Sequence, residues 1–219
     1  MTARKLNLID SLLNEVDQTL RVIHAKAPVT SRKNPSEAIS SSLADIELSE
    51  AETLVSARLM RVNHAGEISA QGLYRGQALM SKSEDIRKQM EVSAAEENDH
   101  LNWCETRLEQ LNSHKSYLSP IWYLGSFSIG ALAGLAGDIW SLGFVKETED
   151  QVGKHIDSHL DKLPENDHAS RAILEQMKID EAHHAEVALE AGAVELPLPV
   201  RKFMMPLISK IMTTVSAKI

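Results

Sequence analysis

Two short motifs with the same chemical pattern constrain this chain more than any other feature of its sequence. In each, a glutamate is followed three residues later by a histidine, as Glu97-x-x-His100 and Glu181-x-x-His184. Residues three positions apart lie on one face of an α-helix, so each motif would present a carboxylate and an imidazole side by side. Both motifs lie within long stretches whose apolar residues recur at helical spacing. The sequence therefore predicts helices that carry metal-binding groups on their inner faces.

A single glutamate precedes each motif in another apolar stretch. Glu67 lies 30 residues before Glu97, and Glu149 lies 32 residues before Glu181. Four helices would then offer Glu, Glu-x-x-His, Glu and Glu-x-x-His, which is the ligand set of helical bundles that bind two iron or two manganese ions. The two halves of the chain form a weak internal repeat. The predicted metal ligands are Glu67, Glu97, His100, Glu149, Glu181 and His184, with no further catalytic side chain.

The spacing alone leaves a second interpretation open. Roughly one Glu-x-x-His match is expected by chance in a chain of this composition. A third copy, Glu165-x-x-His168, follows a proline in a polar stretch and is predicted to be solvated surface. By the same reasoning, Glu97, Glu149 and Glu181 would be charges on solvent-facing helix surfaces.

Residues outside the motifs narrow the range of metal sites, partners and locations that fit this chain. His155 lies six residues after Glu149 and would support the metal ligands from the outer coordination shell, or else lie at the surface. The single cysteine, Cys104, excludes an internal disulfide and any cysteine-rich metal site. The net charge of −8 argues against nucleic-acid partners. The N-terminus lacks the apolar core of a signal peptide, which predicts a cytoplasmic protein.

The periodicity predicts an all-α protein. Residues 6–24 are predicted to form an amphipathic N-terminal helix, and residues 28–45, rich in serine and proline, a linker. Residues 1–45 would thus be an arm on a catalytic domain at 46–219. Four long helices are predicted there, at about 50–80, 83–112, 120–163 and 166–191, followed by an amphipathic C-terminal helix at 199–218.

Two segments suggest contact with a lipid bilayer. Residues 121–145 contain one charged residue, Asp138, and five glycines, and we expect this segment to insert shallowly into the membrane rather than to span it. The segment 199–218 has an apolar stripe, and all its charges are basic, which favours an anionic lipid surface. Packing on the bundle or on another subunit is the alternative for this tail. We therefore predict a peripheral protein on the cytoplasmic face of the cell membrane.

The motifs taken together resemble those of the demethoxyubiquinone hydroxylases of ubiquinone biosynthesis. The run RVNHAGE at 61–67 is similar to the first ligand motif of that family, and residues 97–101, 147–155 and 180–184 match its later motifs in order and spacing. The resemblance covers about residues 47–192. It implies a ferritin-like four-helix bundle that binds two iron ions per chain through the six residues named above.

The same resemblance implies the reaction. It is hydroxylation of the ring of a polyprenyl demethoxyubiquinol by dioxygen, with electrons from NADH or from the quinol itself. A homo-oligomer or a larger biosynthetic complex is a possible assembly. The alternatives are another ferritin-like di-metal protein, acting in peroxide reduction, tRNA hydroxylation or iron handling, and a non-enzymatic helical scaffold on the membrane. The apolar segment and the basic tail argue against soluble substrates.

Overall fold

The computed structural model of the chain describes residues 8–28, 32–39 and 47–219, and these residues form helices and loops without a strand. The predicted all-α, ferritin-like bundle fold is confirmed. A 3₁₀ helix lies at Pro35–Ala38, and a π-helical turn at Val200–Met204. The α-helices are α1 (Leu8–His24), α2 (Glu50–Met80), α3 (Glu84–Gln110), α4 (Ser119–Ala136), α5 (Asp138–Leu160), α6 (His168–Glu190) and α7 (Met205–Ser216).

Local sequence signals fix where the first two bundle helices begin. Ser49 caps α2, and Glu52 completes the capping box by accepting a hydrogen bond from the Ser49 backbone N–H at 2.8 Å. Ser83 caps α3 through the backbone N–H of Ile86. Both caps were predicted from the sequence, and both are confirmed.

The prediction of one long helix at 120–163 is wrong, because this segment forms two helices. Gly137, with φ of +118°, ends α4, since this backbone conformation is readily adopted only by glycine. Asp138 begins α5, and its carboxylate accepts hydrogen bonds from the backbone N–H groups of Lys82 and Ser83. The one charged residue in the apolar segment therefore starts a helix and binds the turn between α2 and α3.

Two apolar clusters lie on opposite sides of the layer that holds the Glu-x-x-His motifs. The first contains residues before Glu67 on α2 and after His100 on α3, and the second contains residues after Glu67 and before Glu97. This arrangement is that of antiparallel helices around a polar centre. The first cluster includes Met60, Trp103, Cys104, Ile156, Ile173 and Met177. The second includes Tyr74, Ala78, Met90, Ala94, Leu142, Val145 and Ala188.

Helices α2 and α4 cross with their backbones in close contact. A Cβ added to Gly76 would overlap the carbonyl oxygen of Phe127, and one added to Gly130 would overlap that of Leu73. Gly66, in the same helix, has nothing within 4 Å of such a Cβ and takes no part in this contact. The role of most of these glycines is therefore to bring α4 against the bundle.

The N-terminal arm folds back onto the bundle. Glu15 of α1 accepts two hydrogen bonds from Arg75 of α2, at 2.8 and 2.9 Å, and Val22 packs against the buried cluster of Ile68, Leu101 and Tyr123. Three apolar side chains of α1, Leu13, Val16 and Leu20, remain exposed. The predicted linker has a 3₁₀ turn at Pro35–Ala38, whereas its residues 29–31 and 40–45 lie outside the described residues.

The C-terminal helix α7 has one face packed on the bundle and one face exposed. Met212 of α7 accepts a hydrogen bond from Ser69 of α2, so one side packs on the bundle, as the alternative interpretation of the tail proposed. The other side is exposed: Leu207 is 60% exposed, and Phe203, in the π-helical turn before the helix, is 73% exposed. Over the ranges 8–28, 32–39 and 47–219, no helix is both long and apolar enough to cross a membrane.

Candidate metal centre

The six predicted ligands lie in the interior of the bundle, on its four long helices. Glu67 comes from α2, Glu149 from α5, and the two Glu-x-x-His motifs from α3 and α6. All six side chains belong to buried residues. The interpretation of Glu97, Glu149 and Glu181 as solvent-facing charges is therefore wrong. Glu165 of the third motif is exposed, as predicted.

Four of the six residues form one compact group. Ligand atoms of Glu67, Glu97, His100 and Glu181 all lie within 4.8 Å of one another. Nδ1 of His100 lies 2.9 Å from Glu97 Oε2, 3.2 Å from Glu181 Oε1 and 3.5 Å from Glu67 Oε2. One imidazole nitrogen thus faces three carboxylates from three different helices.

His184 extends this group on the other side of the same two carboxylates. Its Nδ1 lies 3.2 Å from Glu181 Oε2 and 3.4 Å from Glu97 Oε1. Glu97 and Glu181 therefore each direct one oxygen toward His100 and the other toward His184. Carboxylates in this position are able to bridge two cations.

Glu149 completes the set on the His184 side, but it is held differently. Its Oε1 accepts a hydrogen bond of 2.5 Å from the hydroxyl of Tyr74, a residue that also contacts the His184 ring edge to face. Glu149 is not part of the compact group of four. Sequence reasoning missed Tyr74, although it lies seven residues after Glu67, which is about two helical turns along the same face.

Burial and mutual repulsion shape the charges of these carboxyl groups. Burial, and then the negative charge of Glu97, raise the pKa of Glu67 well above its ordinary value. Burial, and then Glu181 and Glu97, do the same to the pKa of Glu149. Burial alone would raise the pKa of Glu97, but the charge of His100 and the hydrogen bond with that imidazole outweigh burial and lower it. Protons therefore relieve the repulsion when no cation does so.

Each histidine is oriented from outside by an acidic residue of the opposite helix. His100 Nε2 lies 2.9 Å from Asp180, and His184 Nε2 lies 2.8 Å from Glu96. A carboxylate only accepts, so Nε2 must carry the proton, and Nδ1 is left to face the centre as a potential ligand. This pair was not predicted from the sequence. Its signal was an acidic residue directly before each ligand glutamate, Asp180 before Glu181 and Glu96 before Glu97.

His155 lies apart from this network. Its ring packs at 4.1 Å, centroid to centroid, against that of His159, which in turn is hydrogen bonded to Asn63. Burial lowers the pKa of His155. Its role in the outer coordination shell stays a prediction.

The donor set fits divalent cations. Carboxylate and imidazole ligands suit iron or manganese, and four carboxylates balance the charge of two such ions. Oε1 of Glu97 is buried and has no hydrogen-bond partner among the described residues. A buried carboxylate oxygen in that condition is costly unless a cation binds it. The cluster could therefore hold metal.

Comparison with known proteins agrees with this geometry. The family model described as "Ubiquinone biosynthesis protein COQ7" matches residues 55–216. A protein of Nitrosococcus oceani named 3-demethoxyubiquinol 3-hydroxylase is 54% identical over 213 residues, which are 97% of each chain. Proteins of the same name from Acinetobacter baumannii (53% identity, 95% of this chain and 96% of the relative) and Polynucleobacter asymbioticus (50%, 98% and 100%) are similar to it. With its buried glutamate and histidine cluster, this chain belongs to the COQ7 family of ubiquinone biosynthesis proteins.

Proposed function

We propose that this protein is a di-iron monooxygenase that hydroxylates the ring of a demethoxyubiquinol with dioxygen. The observation that carries the proposal is the pair of glutamates, Glu97 and Glu181, that each face both histidines in a buried site. Membership of the COQ7 family and relatives named 3-demethoxyubiquinol 3-hydroxylase support the substrate and the reaction. The names of these relatives give no support to peroxide reduction, tRNA hydroxylation, iron handling or a scaffold.

The ligands divide between two ion positions. Glu67 and His100 would hold one ion, Glu149 and His184 the other, and Glu97 and Glu181 would bridge them. Two iron ions bound there supply the redox chemistry by which dioxygen is reduced and one of its oxygen atoms enters a C–H bond. The overall reaction needs two further electrons and two protons to convert the other oxygen atom to water. We propose NADH or the quinol itself as their source.

The protein itself holds the ligand side chains in position, balances the charge of the ions and excludes water from the site. The rigid helices fix the ligand set, and the hydroxyl of Tyr74 donates to Glu149 and so limits its rotation. The apolar clusters on both sides, with Trp103 and Leu142 almost fully buried, keep bulk water away from the layer. Exclusion of water from such a site would limit side reactions.

A complementation experiment tests this function. In cells that lack the gene, we expect a quinone without one methoxy group to accumulate, and the wild-type gene to restore ubiquinone. Glu97→Ala should fail to restore it, whereas Glu165→Ala, at the exposed Glu-x-x-His copy, should succeed. Quinones are measured by mass spectrometry, and purified wild-type protein should hold about two iron ions per chain. Unchanged quinones in the deletion strain, or full rescue by Glu97→Ala, would refute the proposal.

We also propose that the protein acts at the cytoplasmic face of the cell membrane. Support comes from the exposed apolar side chains of α4 and α7, and α7 also carries the exposed basic residue Lys210. Phe203→Ser combined with Leu207→Ser should weaken sedimentation with vesicles that contain anionic lipid. Ile179→Ser, an exposed apolar site on α6, serves as the control and should leave binding unchanged. Equal sedimentation of both proteins would argue against this surface.

A further inference from the structure

One residue of the N-terminal segment reaches the outer shell of the metal centre. Arg32 lies just before the 3₁₀ helix Pro35–Ala38, which packs against α6. Its Nη2 lies 2.5 Å from Asp180 Oδ2, and its Nε lies 3.7 Å from Asp99 Oδ2. The guanidinium group also stacks over the ring of Trp103, 4.9 Å from the ring centroid. Arg32 is therefore held by three side chains on α3 and α6.

Asp180 transmits this contact to the ligand layer. The same oxygen that binds Arg32 accepts the hydrogen bond from His100 Nε2 at 2.9 Å, while Oδ1 accepts one from Gln176 at 3.0 Å. Asp180 is 16% exposed, so its position depends on these partners rather than on water. Arg32, Asp180 and His100 thus form a continuous chain from the arm to the Nδ1 atom that faces the carboxylates.

The corresponding pair at the second Glu-x-x-His motif, Glu96 and His184, has no such cation among the described residues. Glu96, which binds His184, is 46% exposed, and its only described ion pair is the one with that histidine. The outer shell is therefore closed by the arm at His100 and open to solvent at His184.

We propose that Arg32 is a positioning residue of the metal centre, which fixes Asp180 and thereby the ring of His100, so that docking of the N-terminal segment and metal binding at the His100 position stabilise each other. The inference rests on the proposed binding of metal by the six residues. Loss of an outer-shell partner typically lowers metal affinity by about 10–100-fold. Asp180 keeps Gln176 and His100 when Arg32 is removed, so we expect about a tenfold loss, confined to one of the two ions.

Anaerobic titration of the metal-free protein with Fe²⁺, in competition with a chromogenic chelator, tests the inference. Arg32→Ala should weaken one of two binding steps by about tenfold. Arg32→Lys should recover part of the loss, because an ammonium group can still pair with Asp180. The matched control is Lys26→Ala, which removes an exposed contact between the same arm and Glu109 of α3 and should leave both steps unchanged.

Two further measurements separate positioning from simple detachment of the arm. In the background of Asp180→Asn, adding Arg32→Ala should cause little further loss of Fe²⁺ affinity, since both changes break one chain. By reciprocity, Fe²⁺ should slow amide hydrogen exchange at residues 32–39 in the wild type, and should do so less in Arg32→Ala.

Each remaining outcome has a distinct meaning. If wild-type protein binds no Fe²⁺, the proposed function fails. If the wild type binds two ions and Arg32→Ala binds them equally well, the inference fails alone. Equal losses in Arg32→Ala and Lys26→Ala, or additive losses in the double variant, would also overturn it, because they would indicate a general effect of arm docking.

Discussion

Replacing Gly76 by alanine tests the closest contact in the fold, the crossing of α2 and α4. Within an exposed helix interior, alanine stabilises by about 1 kcal/mol relative to glycine. At Gly76, however, the added Cβ would overlap the carbonyl oxygen of Phe127 and approach the backbone nitrogen of Ala131 at 2.7 Å. Both neighbours are backbone atoms of a helix, so neither can rotate away. Relief requires α4 to move.

The size of the effect follows from these opposing contributions. Overpacking costs about 1–3 kcal/mol, and the rigid neighbours place this site at the upper end. After subtraction of the gain in helix propensity, we expect Gly76→Ala to destabilise the protein by about 2 kcal/mol. Gly66→Ala, in the same helix but with nothing within 4 Å, should instead stabilise it by up to about 1 kcal/mol. The two variants should differ by about 2–3 kcal/mol, or about 4–12 °C in Tm, since 1 kcal/mol shifts Tm by about 2–4 °C at this size.

Thermal and urea unfolding, followed by circular dichroism on metal-free samples, measure the difference. Removal of metal matters because Gly66 is adjacent to Glu67, and any change in metal affinity would add to the result. A Gly76→Ala protein as stable as Gly66→Ala would refute the reasoning, because it would show that α4 is not held at the described distance.

Three further results are expected. Chelation of the metal should lower Tm, as measured by calorimetry, because ions that bind only the folded state stabilise it. An unchanged Tm in a sample shown to have lost its iron would contradict a structural role for the ions. Tyr74→Phe should weaken Fe²⁺ binding by about tenfold in chelator competition, since Glu149 loses its hydrogen-bond donor; unchanged affinity would show that the donor is dispensable. Glu105→Gln should cost about 2 kcal/mol at pH 7 in urea unfolding, because this carboxylate accepts hydrogen bonds from Lys115 and from the backbone N–H of Ala27. Burial alone would raise the pKa of Glu105, but these partners and a neighbouring histidine lower it from 4.5 to about 2. The difference in stability between the two proteins should therefore fade as the pH falls from 4.5 toward 2. A difference independent of pH would exclude a contribution from the charge.

Local sequence signals predicted most of the helical architecture. The caps at Ser49 and Ser83 depend on side chains within three residues, so the sequence specifies them without reference to the rest of the fold. The break between α4 and α5 was also encoded locally, as a glycine followed by an acidic residue at 137–138. The apolar pattern on both sides concealed it, because one long apolar helix and two successive apolar helices have similar periodicity.

The sequence by itself determined which six side chains come together. The i to i+3 spacing pairs each histidine with a glutamate on one helical face, and the repeated spacing brings the four faces to one centre. Only the tertiary structure decided what surrounds that centre. Tyr74 meets Glu149, Asp180 meets His100, and Arg32 reaches Asp180 from 148 positions away in the sequence. Such contacts depend on which helices are neighbours and how the arm returns to the bundle, and the periodicity within a single helix carries no information about either.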